Sequence, residues 1–325
     1  MIVASVDQRN HLSEKTPNLN FIMNEEKKDD KITEKQLSTT KRVFLSMTAG
    51  AVAGALAKTA IAPLDRTKIN FQIQKMQFSF RQATLFLIDS YKSNGFASLW
   101  RGNSATMARI IPYAAIQYSA HEQWKWILKV HTNEGRKENP GKTFLAGSLA
   151  GITSSTFTYP LDLARARLAV TQKEQYNSLF QVFVKIWQQE GPIHLYRGYA
   201  PTIIGVIPYA GTSFFTYETL KRLHSEYSNG APPNPFYRMI FGAIAGLLGQ
   251  SSSYPLDIVR RRMQTSQVTG TPYRTILGTL KRIIREEGLI GLYKGLSLNW
   301  VKGPIAVGIS FTTFDLLLNL FKQLV

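Results

Sequence analysis

The feature that most constrains this chain is a six-residue pattern that occurs three times. The pattern is Pro-Leu-Asp, two variable residues and a base, and its copies start at Pro63, Pro160 and Pro255, which lie 97 and 95 residues apart. After each copy comes a glycine, followed seven residues later by the glycine of an aromatic-base-Gly triplet. The triplets end at Gly102, Gly198 and Gly295. Two landmarks in the same order at a nearly constant spacing predict three tandem repeats.

The repeats and the segment before them set the predicted domain boundaries. Residues 1–40 are polar and of mixed charge, and they lack the apolar core of a secretory signal. They also contain acids, which a cleaved mitochondrial presequence usually lacks. We therefore expect a disordered tail over 1–40, followed by repeats at 41–130, 141–225 and 236–325.

Each repeat contains two long apolar stretches. A helix needs roughly 20 mostly apolar residues to cross a bilayer. The stretches at 143–161, 198–217 and 239–256 contain no charged residue. Those at 43–64, 102–120 and 295–314 contain one base each, namely Lys58, Arg109 and Lys302. The sequence therefore predicts an all-α membrane protein with six transmembrane helices in three two-helix repeats.

Two further patterns refine this prediction. Segments 80–93, 178–189 and 273–285 have apolar residues at helical spacing, so we expect short amphipathic helices that lie along the surface. The first long stretch of each repeat has two glycines four residues apart, which predicts a close approach of helix backbones. The pairs are Gly50 and Gly54, Gly147 and Gly151, and Gly242 and Gly246.

The charge balance narrows the classes of partner. The formal net charge is +18, which favours a polyanion: nucleic acid, anionic lipid or a phosphate-rich small molecule. A nucleic-acid-binding protein would cluster its bases on exposed faces with interleaved aromatic residues, whereas these bases flank apolar stretches. The basic runs at 260–262 and 281–282 are predicted to face anionic headgroups such as those of cardiolipin.

Catalysis and cofactor binding find no support in the sequence. The chain has no cysteine, which excludes disulfides, thiolate metal sites and cysteine nucleophiles. The five histidines have no metal-ligand spacing, and no catalytic triad or pair of carboxylates stands out. We therefore predict neither enzyme activity, nor a metal site, nor a cofactor.

The bases inside the spans are the predicted centre of a binding site. An ionisable residue inside a membrane is costly and usually faces a water-filled cavity. Arg109 and Lys302 each lie seven residues after the landmark glycine of their repeat, and the remaining repeat has Gly205 at that position. If the repeats surround an axis, these three positions lie at one level of one cavity.

This level of the cavity favours a nucleotide-like anion. Arg109 and Lys302 match phosphate groups, Gly205 and Val206 leave room for a flat ring, and Tyr209 offers a stacking face. The alternative is that Arg109 and Lys302 each pair with an acid elsewhere in the helix bundle.

From about Lys41 to Val325, the chain resembles the mitochondrial carrier family, whose triple Pro-x-Asp-x-x-base pattern it carries. The resemblance implies six helices around a pseudo-threefold axis in the inner mitochondrial membrane, with three short helices on the matrix side. It implies a central site that alternates between matrix and cytosol, transport by exchange, and a monomer as the working unit.

The resemblance also implies a gate on the matrix side, where the acids and bases of the repeated pattern link neighbouring odd-numbered helices. The implied pairs are Asp65 with Arg165, Asp162 with Arg260, and Asp257 with Lys68. Family members carry a glutamine nine residues after each proline, which braces these pairs. Gln72 and Gln264 stand at that position in two repeats, and Ala169 replaces it in the third.

A second implied gate lies on the cytosolic side, where the family pattern is aromatic-acid-x-x-base. Residues 217–221 have the full pattern, 121–125 have it in part, and 314–318 lack the base. The implied pairs are Glu122 with Lys221 and Asp315 with Lys125, and Glu218 has no evident partner. We therefore expect a weaker gate on this side.

The resemblance finally implies a substrate class. In family members that carry adenine nucleotides or coenzyme A, a glycine and an aliphatic residue occupy the middle position and bases occupy the other two, as in this chain. Residues 57–68, 109–117 and 300–304 are similar to members that carry coenzyme A. This implies import of coenzyme A in exchange for adenosine 3',5'-bisphosphate or ADP, with Lys58, Arg109 and Lys302 on the phosphates. The alternative is a carrier of ADP and ATP, or of ATP-Mg and phosphate.

Overall fold

A computed structural model describes residues 39–75, 78–228 and 230–324. All but the last two residues of the predicted disordered tail, 1–40, lie outside the described residues. The chain divides into two units, residues 1–48 with Val325, and Ala49–Leu324. The described part of the first unit is the start of one helix, and the ion pairs and the cavity discussed below lie in the second.

The described residues are helical and contain no β-strand. Six helices are long: α1 (Thr39–Ile73), α3 (Asn103–Ile127), α5 (Pro140–Val170), α7 (Tyr199–Tyr227), α8 (Pro235–Thr265) and α10 (Leu296–Leu324). Four are short: α2 (Phe80–Asn94), α4 (Asn133–Glu138), α6 (Leu179–Gln189) and α9 (Ile276–Glu287). Each repeat thus has two long helices with a short one between them, as the sequence predicted, and only α4 was not expected.

The long helices differ in hydropathy, and therefore in how clearly each is recognised as membrane-spanning. Leu45–Ile73 and Leu289–Phe321 are apolar enough on their own, with mean hydropathies of 1.3 and 1.5. The other four long helices contain 25 to 31 residues. At about 1.5 Å per residue, each of these is longer than the roughly 30 Å of a bilayer core.

The repeated proline lies inside a helix in every repeat. Pro63, Pro160 and Pro255 interrupt α1, α5 and α8, and each helix continues for ten residues beyond its proline. We call the part of the molecule beyond these prolines the signature end. The apolar core lies here, because α6 packs on α5 around Leu163 and Ile186, and α9 packs on α8 around Ile258 and Ile283.

The backbone conformation explains why glycine occupies the landmark positions. Gly102 and Gly198 have φ of 91° and 84°, a backbone conformation that other residues rarely adopt. A Cβ on Gly102 would also lie 3.0 Å from the carbonyl oxygen of Arg165, so there is little room for a side chain. The glycine therefore lets the turn before α3 lie directly against α5 of the next repeat.

The base of each triplet also ties its repeat to the next one. Each donates a hydrogen bond to a backbone carbonyl of the following repeat: Arg101 to Tyr176 (2.8 Å), Arg197 to Tyr273 (3.4 Å) and Lys294 to Gln74 (2.8 Å). The three links run in one direction around the bundle. The signature end is thus a closed ring of repeats.

The glycine pairs do not make the close backbone contacts that we predicted. A Cβ added at Gly54, Gly151 or Gly246 would meet nothing within 4 Å. The close contact comes instead at Gly249, where a Cβ would lie 2.9 Å from the carbonyl oxygen of Tyr209 on α7. The pairs lie at the end opposite the signature end, where the structure leaves space beside them.

Candidate functional site

Three ion pairs join the long helices of neighbouring repeats at the signature end. Each pair has its acid two residues after one repeated proline and its base five residues after another. The pairs are Asp65 with Arg165, Asp162 with Arg260 (2.5 Å), and Asp257 with Lys68 (2.9 Å). The acid-base contacts that the resemblance implied are therefore all made in the structure.

The carboxylates of these pairs are well removed from water. The side chains of Asp65, Asp162 and Asp257 are 9%, 2% and 23% exposed. A buried carboxylate is tolerated only when it is paired and hydrogen-bonded, and removal of its partner is strongly destabilising. These pairs therefore hold α1, α5 and α8 together at the signature end.

The same carboxylates also bind bases that are not part of the three pairs. Asp162 accepts from Arg109 and from Arg261, both at 3.3 Å, and Asp65 accepts from Lys302 at 2.6 Å. Three carboxylates thus face six bases, an excess of three positive charges. The alternative that the sequence left open, in which Arg109 and Lys302 pair with acids of the bundle, describes this structure.

The predicted brace residues lie beside two of the pairs. The Gln264 amide donates to Asp162 (2.8 Å) and to the hydroxyl of Tyr159 (2.9 Å). The Gln72 amide donates in the same way to Asp257 (3.0 Å) and to the hydroxyl of Tyr254 (3.2 Å). We had not singled out the two tyrosines, although a Tyr-Pro-Leu-Asp sequence in two repeats marks them.

The pair without a glutamine has a different neighbour. Ala169 stands at the brace position beside Asp65 and Arg165, and its side chain offers no hydrogen bond. Lys302 contributes the additional bond to Asp65 there. Lys302 therefore takes part in the pair that has no glutamine brace.

Two side chains that the sequence did not single out position Arg109. Its Nε donates to the hydroxyl of Thr158 at 3.1 Å, and its guanidinium lies 4.7 Å from the centre of the Tyr113 ring. Tyr113 stands four residues after Arg109, as Tyr209 stands four after Gly205. Tyr113 therefore contacts the base Arg109 of its own helix, whereas Tyr209 has a glycine, Gly205, at the equivalent position.

The uncharged positions line a cavity of about 300 Å³ between α7, α8 and the neighbouring helices. Gly205, Val206 and Tyr209 of α7 line it, together with Ser155 of α5 and Gln250 of α8. Lys68, Asp257 and Arg260, which belong to the ion pairs, also line the cavity. The structure thus places the predicted ring-binding positions directly above one ion pair.

The predicted phosphate-binding bases lie beside the other two pairs. Arg109 and Lys302 contact Asp162 and Asp65 and do not line this cavity. Lys58 is exposed on α1, close enough for the charges of Asp65, Lys302 and Arg109 to act on it. The charges of Lys58, Arg109 and Lys302 are therefore close enough to act on one another.

At the opposite end, the structure differs from the pairs that the resemblance implied. Lys125 binds Glu122 (2.5 Å) and Lys221 binds Glu218 (3.4 Å), so both bases bind an acid three residues away on their own helix. Glu218, for which we expected no partner, has one. Asp315 is exposed on α10. A local acid competes well for a base when the helices of a gate are apart, because residues i and i+3 are neighbours on one helix.

The structure also contradicts part of the predicted lipid surface. Arg261 and Arg262 are 8% and 1% exposed, and Arg260 binds Asp162. These arginines point into the protein, because the carboxylates of the signature end bind them. Of the two basic runs, only the one on α9 reaches the surface: Lys281 is exposed, and Arg282 is half-buried and binds Glu286 (2.9 Å).

Comparisons with known proteins agree with this organisation. A family model described as "Mitochondrial carrier protein" matches the chain three times, at residues 39–132, 136–228 and 231–324. The mitochondrial coenzyme A transporter of Homo sapiens is 61% identical over 286 residues, 87% of this chain and 90% of the relative. That of Danio rerio is 59% identical over 285 residues, 87% of this chain and 89% of the relative. A mitochondrial adenyl nucleotide antiporter of Xenopus laevis is 37% identical over 289 residues, 88% of this chain and 60% of the relative.

Proposed function

Because this chain belongs to the mitochondrial carrier family, we propose that it imports coenzyme A into the matrix in exchange for adenine nucleotides such as adenosine 3',5'-bisphosphate or ADP. Membership makes it a multi-pass transporter of the inner mitochondrial membrane and not an enzyme. The six long helices span the membrane in three repeats with pseudo-threefold symmetry. The helices α2, α6 and α9 lie on the matrix side, so the signature end is the matrix end.

The observation that carries the substrate proposal is the 61% identity to a relative named for coenzyme A transport, over 90% of that relative's length. At 37% identity, the relative named for adenyl nucleotides is considerably more distant. The residues around the candidate site support the same substrate class on physical grounds, as follows.

The excess of bases provides the attraction for the substrate. Six bases against three carboxylates leave three positive charges at the bottom of the central site. Coenzyme A has a 3'-phosphate and a pyrophosphate, which carry several negative charges. Charge-assisted hydrogen bonds to phosphate are among the stronger contacts in a partly dehydrated site.

Arg109 and Lys302 can bind phosphate without leaving a carboxylate unpaired. When Arg109 turns to a phosphate, Asp162 still has Arg260 and Arg261. When Lys302 does so, Asp65 still has Arg165. An unpaired buried charge costs several kcal/mol, so this redundancy keeps the cost of the exchange low. These two bases are therefore the ones available to the substrate, whereas Arg165 and Arg260 stay in the gate.

The uncharged wall suits the rest of the molecule. Gly205 and Val206 present backbone and a small apolar surface, and the exposed Tyr209 ring gives the adenine a face on which to stack. Ser155 and Gln250 stand at the positions equivalent to Lys58, five residues before their prolines, and are uncharged. We assign to them the pantetheine arm, which carries amides but no charge.

We further propose that transport proceeds by alternating access. The ion pairs and their glutamine braces close the matrix end, whereas Lys125 and Lys221 bind acids of their own helices at the cytosolic end. This arrangement supports the assignment of the structure to the state that faces the cytosol. The opposite state requires the matrix pairs to separate and the cytosolic residues to form links between helices.

Two further proposals concern partners. We propose that the protein works as a monomer, because the three repeats close a ring within one chain. We also propose that Lys281 and Arg282, on the matrix-side helix α9, contact anionic lipid such as cardiolipin.

The test of the substrate is uptake of labelled coenzyme A by liposomes that contain the purified protein. One set is preloaded with adenosine 3',5'-bisphosphate, a second with ADP, and a third is left empty, with protein-free liposomes as the control. We expect saturable uptake that depends on an internal nucleotide. Exchange of ADP or ATP without any uptake of coenzyme A would replace this proposal by the nucleotide-carrier alternative, which the relative from Xenopus laevis favours.

A further inference from the structure

A second ring of contacts lies beyond the ion pairs at the matrix end. Seven residues after each repeated proline, a side chain donates a hydrogen bond to the backbone carbonyl that lies nine residues after the proline of the next repeat. The three bonds are Asn70 to Ala169 (3.0 Å), Arg167 to Gln264 (3.2 Å) and Arg262 to Gln72 (3.1 Å). From donor to acceptor they run around the bundle in the direction opposite to the ion pairs, in which the base of the next repeat donates to the acid of the preceding one.

The acceptors explain why these bonds matter. Ala169, Gln264 and Gln72 each stand second from the end of their helix, where backbone carbonyls have no partner within the helix. A cation near a helix C-terminus also interacts favourably with the helix dipole. Each of α1, α5 and α8 is therefore capped by a side chain of another repeat. If the helices separate at this end, all three lose their caps.

The new ring lies deeper toward the matrix than the ion pairs. Its acceptors stand four residues beyond the bases of those pairs, which is about 6 Å along a helix. It is also dry, because Asn70, Arg167 and Arg262 are 7%, 0% and 1% exposed. An unsatisfied carbonyl in such a place costs more than a lost surface contact.

We infer that Asn70, Arg167 and Arg262 form a second layer of the matrix gate, which breaks each time the protein opens to the matrix. The inference rests on the alternating access proposed above and is independent of the identity of the substrate. These residues act on the helix ends and do not touch the substrate, so they are positioning residues. They set how readily the matrix side opens.

The ring is not symmetric, and this asymmetry predicts where it is weakest. Arg167 also binds Glu190, and Arg262 also binds Glu287 (2.6 Å), so both arginines are fixed by a carboxylate. In the first repeat, the corresponding residues are the neutral Asn70 and Asn94.

The carbonyl of Ala169 has a second donor, Arg66 at 3.2 Å, which also binds the carbonyl of Ser98. Neither Asn70 nor Arg66 is held by a carboxylate ion pair among the described contacts. The seam between α1 and α5 is therefore the place where we expect the second layer to open most easily.

The absence of cysteine makes a direct test practical. Ser155→Cys, a change of one atom in the wall of the cavity, provides a single reporter, and it is the parent with which every variant is compared. In proteoliposomes sorted for one orientation, a membrane-impermeant maleimide is applied from the cytosolic or from the matrix side. The ratio of the two labelling rates reports the balance between the two states.

The test variant is Asn70→Leu, which keeps the branched shape and the number of non-hydrogen atoms of the side chain and removes the donor. Its matched control is Asn299→Leu, because Asn299 is also buried (3% exposed) and its amide has no partner among the described residues. Loss of one buried hydrogen bond changes an equilibrium by about fivefold. We expect Asn70→Leu to raise the matrix-to-cytosol labelling ratio by about this factor, and the control to leave it unchanged.

If Asn70→Leu is not recovered as folded protein, Arg167→Lys serves instead. Lysine keeps a charge for Glu190 but lacks the planar fork that binds a carboxylate and a carbonyl together. We expect the same direction of change. An unchanged ratio, or an equal rise in both labelling rates, would overturn the second layer. A parent reporter that is labelled from one side only under all conditions would instead overturn alternating access, so the two failures are distinct.

Discussion

The matrix end and the cytosolic end of the molecule bear the same kinds of residue but use them differently. At the matrix end, the acids bind bases of other helices, and the side chain of Asp162 is 2% exposed among three arginines. At the cytosolic end, Lys125 and Lys221 bind acids of their own helices, and the side chains of those acids, Glu122 and Glu218, are 62% and 40% exposed. The ion pairs of the matrix end join different helices, whereas these two pairs of the cytosolic end each lie within one helix.

This difference shows what an ion pair contributes in each place. An exposed pair on one helix is worth about 0.3–0.5 kcal/mol, whereas breaking a buried pair by removing one partner costs about 3–5 kcal/mol. Among the ion pairs of the described residues, the stabilising free energy is therefore concentrated at the matrix end. The alternating access that we propose requires this end to open, so its contacts need both strength and an alternative set of partners.

The largest expected effect comes from the most connected carboxylate. Asp162→Asn leaves Arg109, Arg260 and Arg261 without their common counter-ion, at a cost of about 3–5 kcal/mol. We expect a clear fall in the unfolding temperature, measured by tryptophan fluorescence in detergent, and loss of exchange in liposomes. Glu218→Gln at the cytosolic end is the matched control, with a shift close to zero. Equal shifts for the two variants would remove the contrast between the ends.

The next effect is on transport alone. Arg109→Gln removes a phosphate partner, while Asp162 keeps Arg260 and Arg261, so the protein should stay folded. A lost contact to a charged group costs about 2 kcal/mol or more, which corresponds to at least about a 30-fold fall in exchange. Lys302→Gln should behave in the same way.

Each of these two variants is compared with the parent for initial exchange rate and for unfolding temperature. Full exchange by both variants would contradict their assignment to the substrate. A fall in unfolding temperature as large as that of Asp162→Asn would instead make them structural members of the matrix gate.

Much of this architecture could be predicted because the chain repeats itself. Two landmarks at constant spacing fix equivalent positions, so Arg109, Gly205 and Lys302 could be placed at one depth without coordinates. The acids and bases of the repeated pattern could be paired for the same reason. The long membrane-spanning helices could be distinguished from the short amphipathic ones by segment length and apolar content, which are local properties of the sequence.

The missed features depend on contacts that spacing does not encode. The sequence does not specify that Arg261 turns inward to Asp162, or that Tyr113 holds the guanidinium of Arg109, because each depends on side-chain directions in the packed bundle. The cytosolic pairs depend on the conformational state. In the alternating access that we propose, each state satisfies only part of the charge pattern in the sequence.

The glycine pairs give a way to test whether the cytosolic end closes in the other state. A Cβ at Gly151 has empty space around it in this state, and leucine favours helix more than glycine does. We therefore expect Gly151→Leu to leave the unfolding temperature unchanged or slightly higher. If the helices approach at this end during transport, the larger side chain obstructs them. Overpacking costs about 1–3 kcal/mol, so exchange falls by about tenfold or more.

Gly211→Leu on α7 is the matched control, because its Cβ also has open space and it belongs to no glycine pair. We expect this control to exchange at close to the parent rate. Normal exchange by Gly151→Leu would show that the cytosolic end does not close at this position.

The smallest expected effect is that of removing an exposed charge at the matrix end. This variant tests whether ion pairs at the matrix end are strong because they are buried or because of where they lie. Glu286 on α9 accepts from Lys75 (3.1 Å) and Arg282 (2.9 Å), which lower its pKa below the usual 4.5. Because the folded pKa is the lower one, this contribution to stability is present above pH 4.5 and is lost as the pH falls through the folded value. Glu286→Gln should therefore lower the unfolding temperature only slightly at pH 7, and the difference from the parent should vanish in acid. A shift at pH 7 comparable with that of Asp162→Asn would mean that position at the matrix end, and not burial, gives these ion pairs their strength.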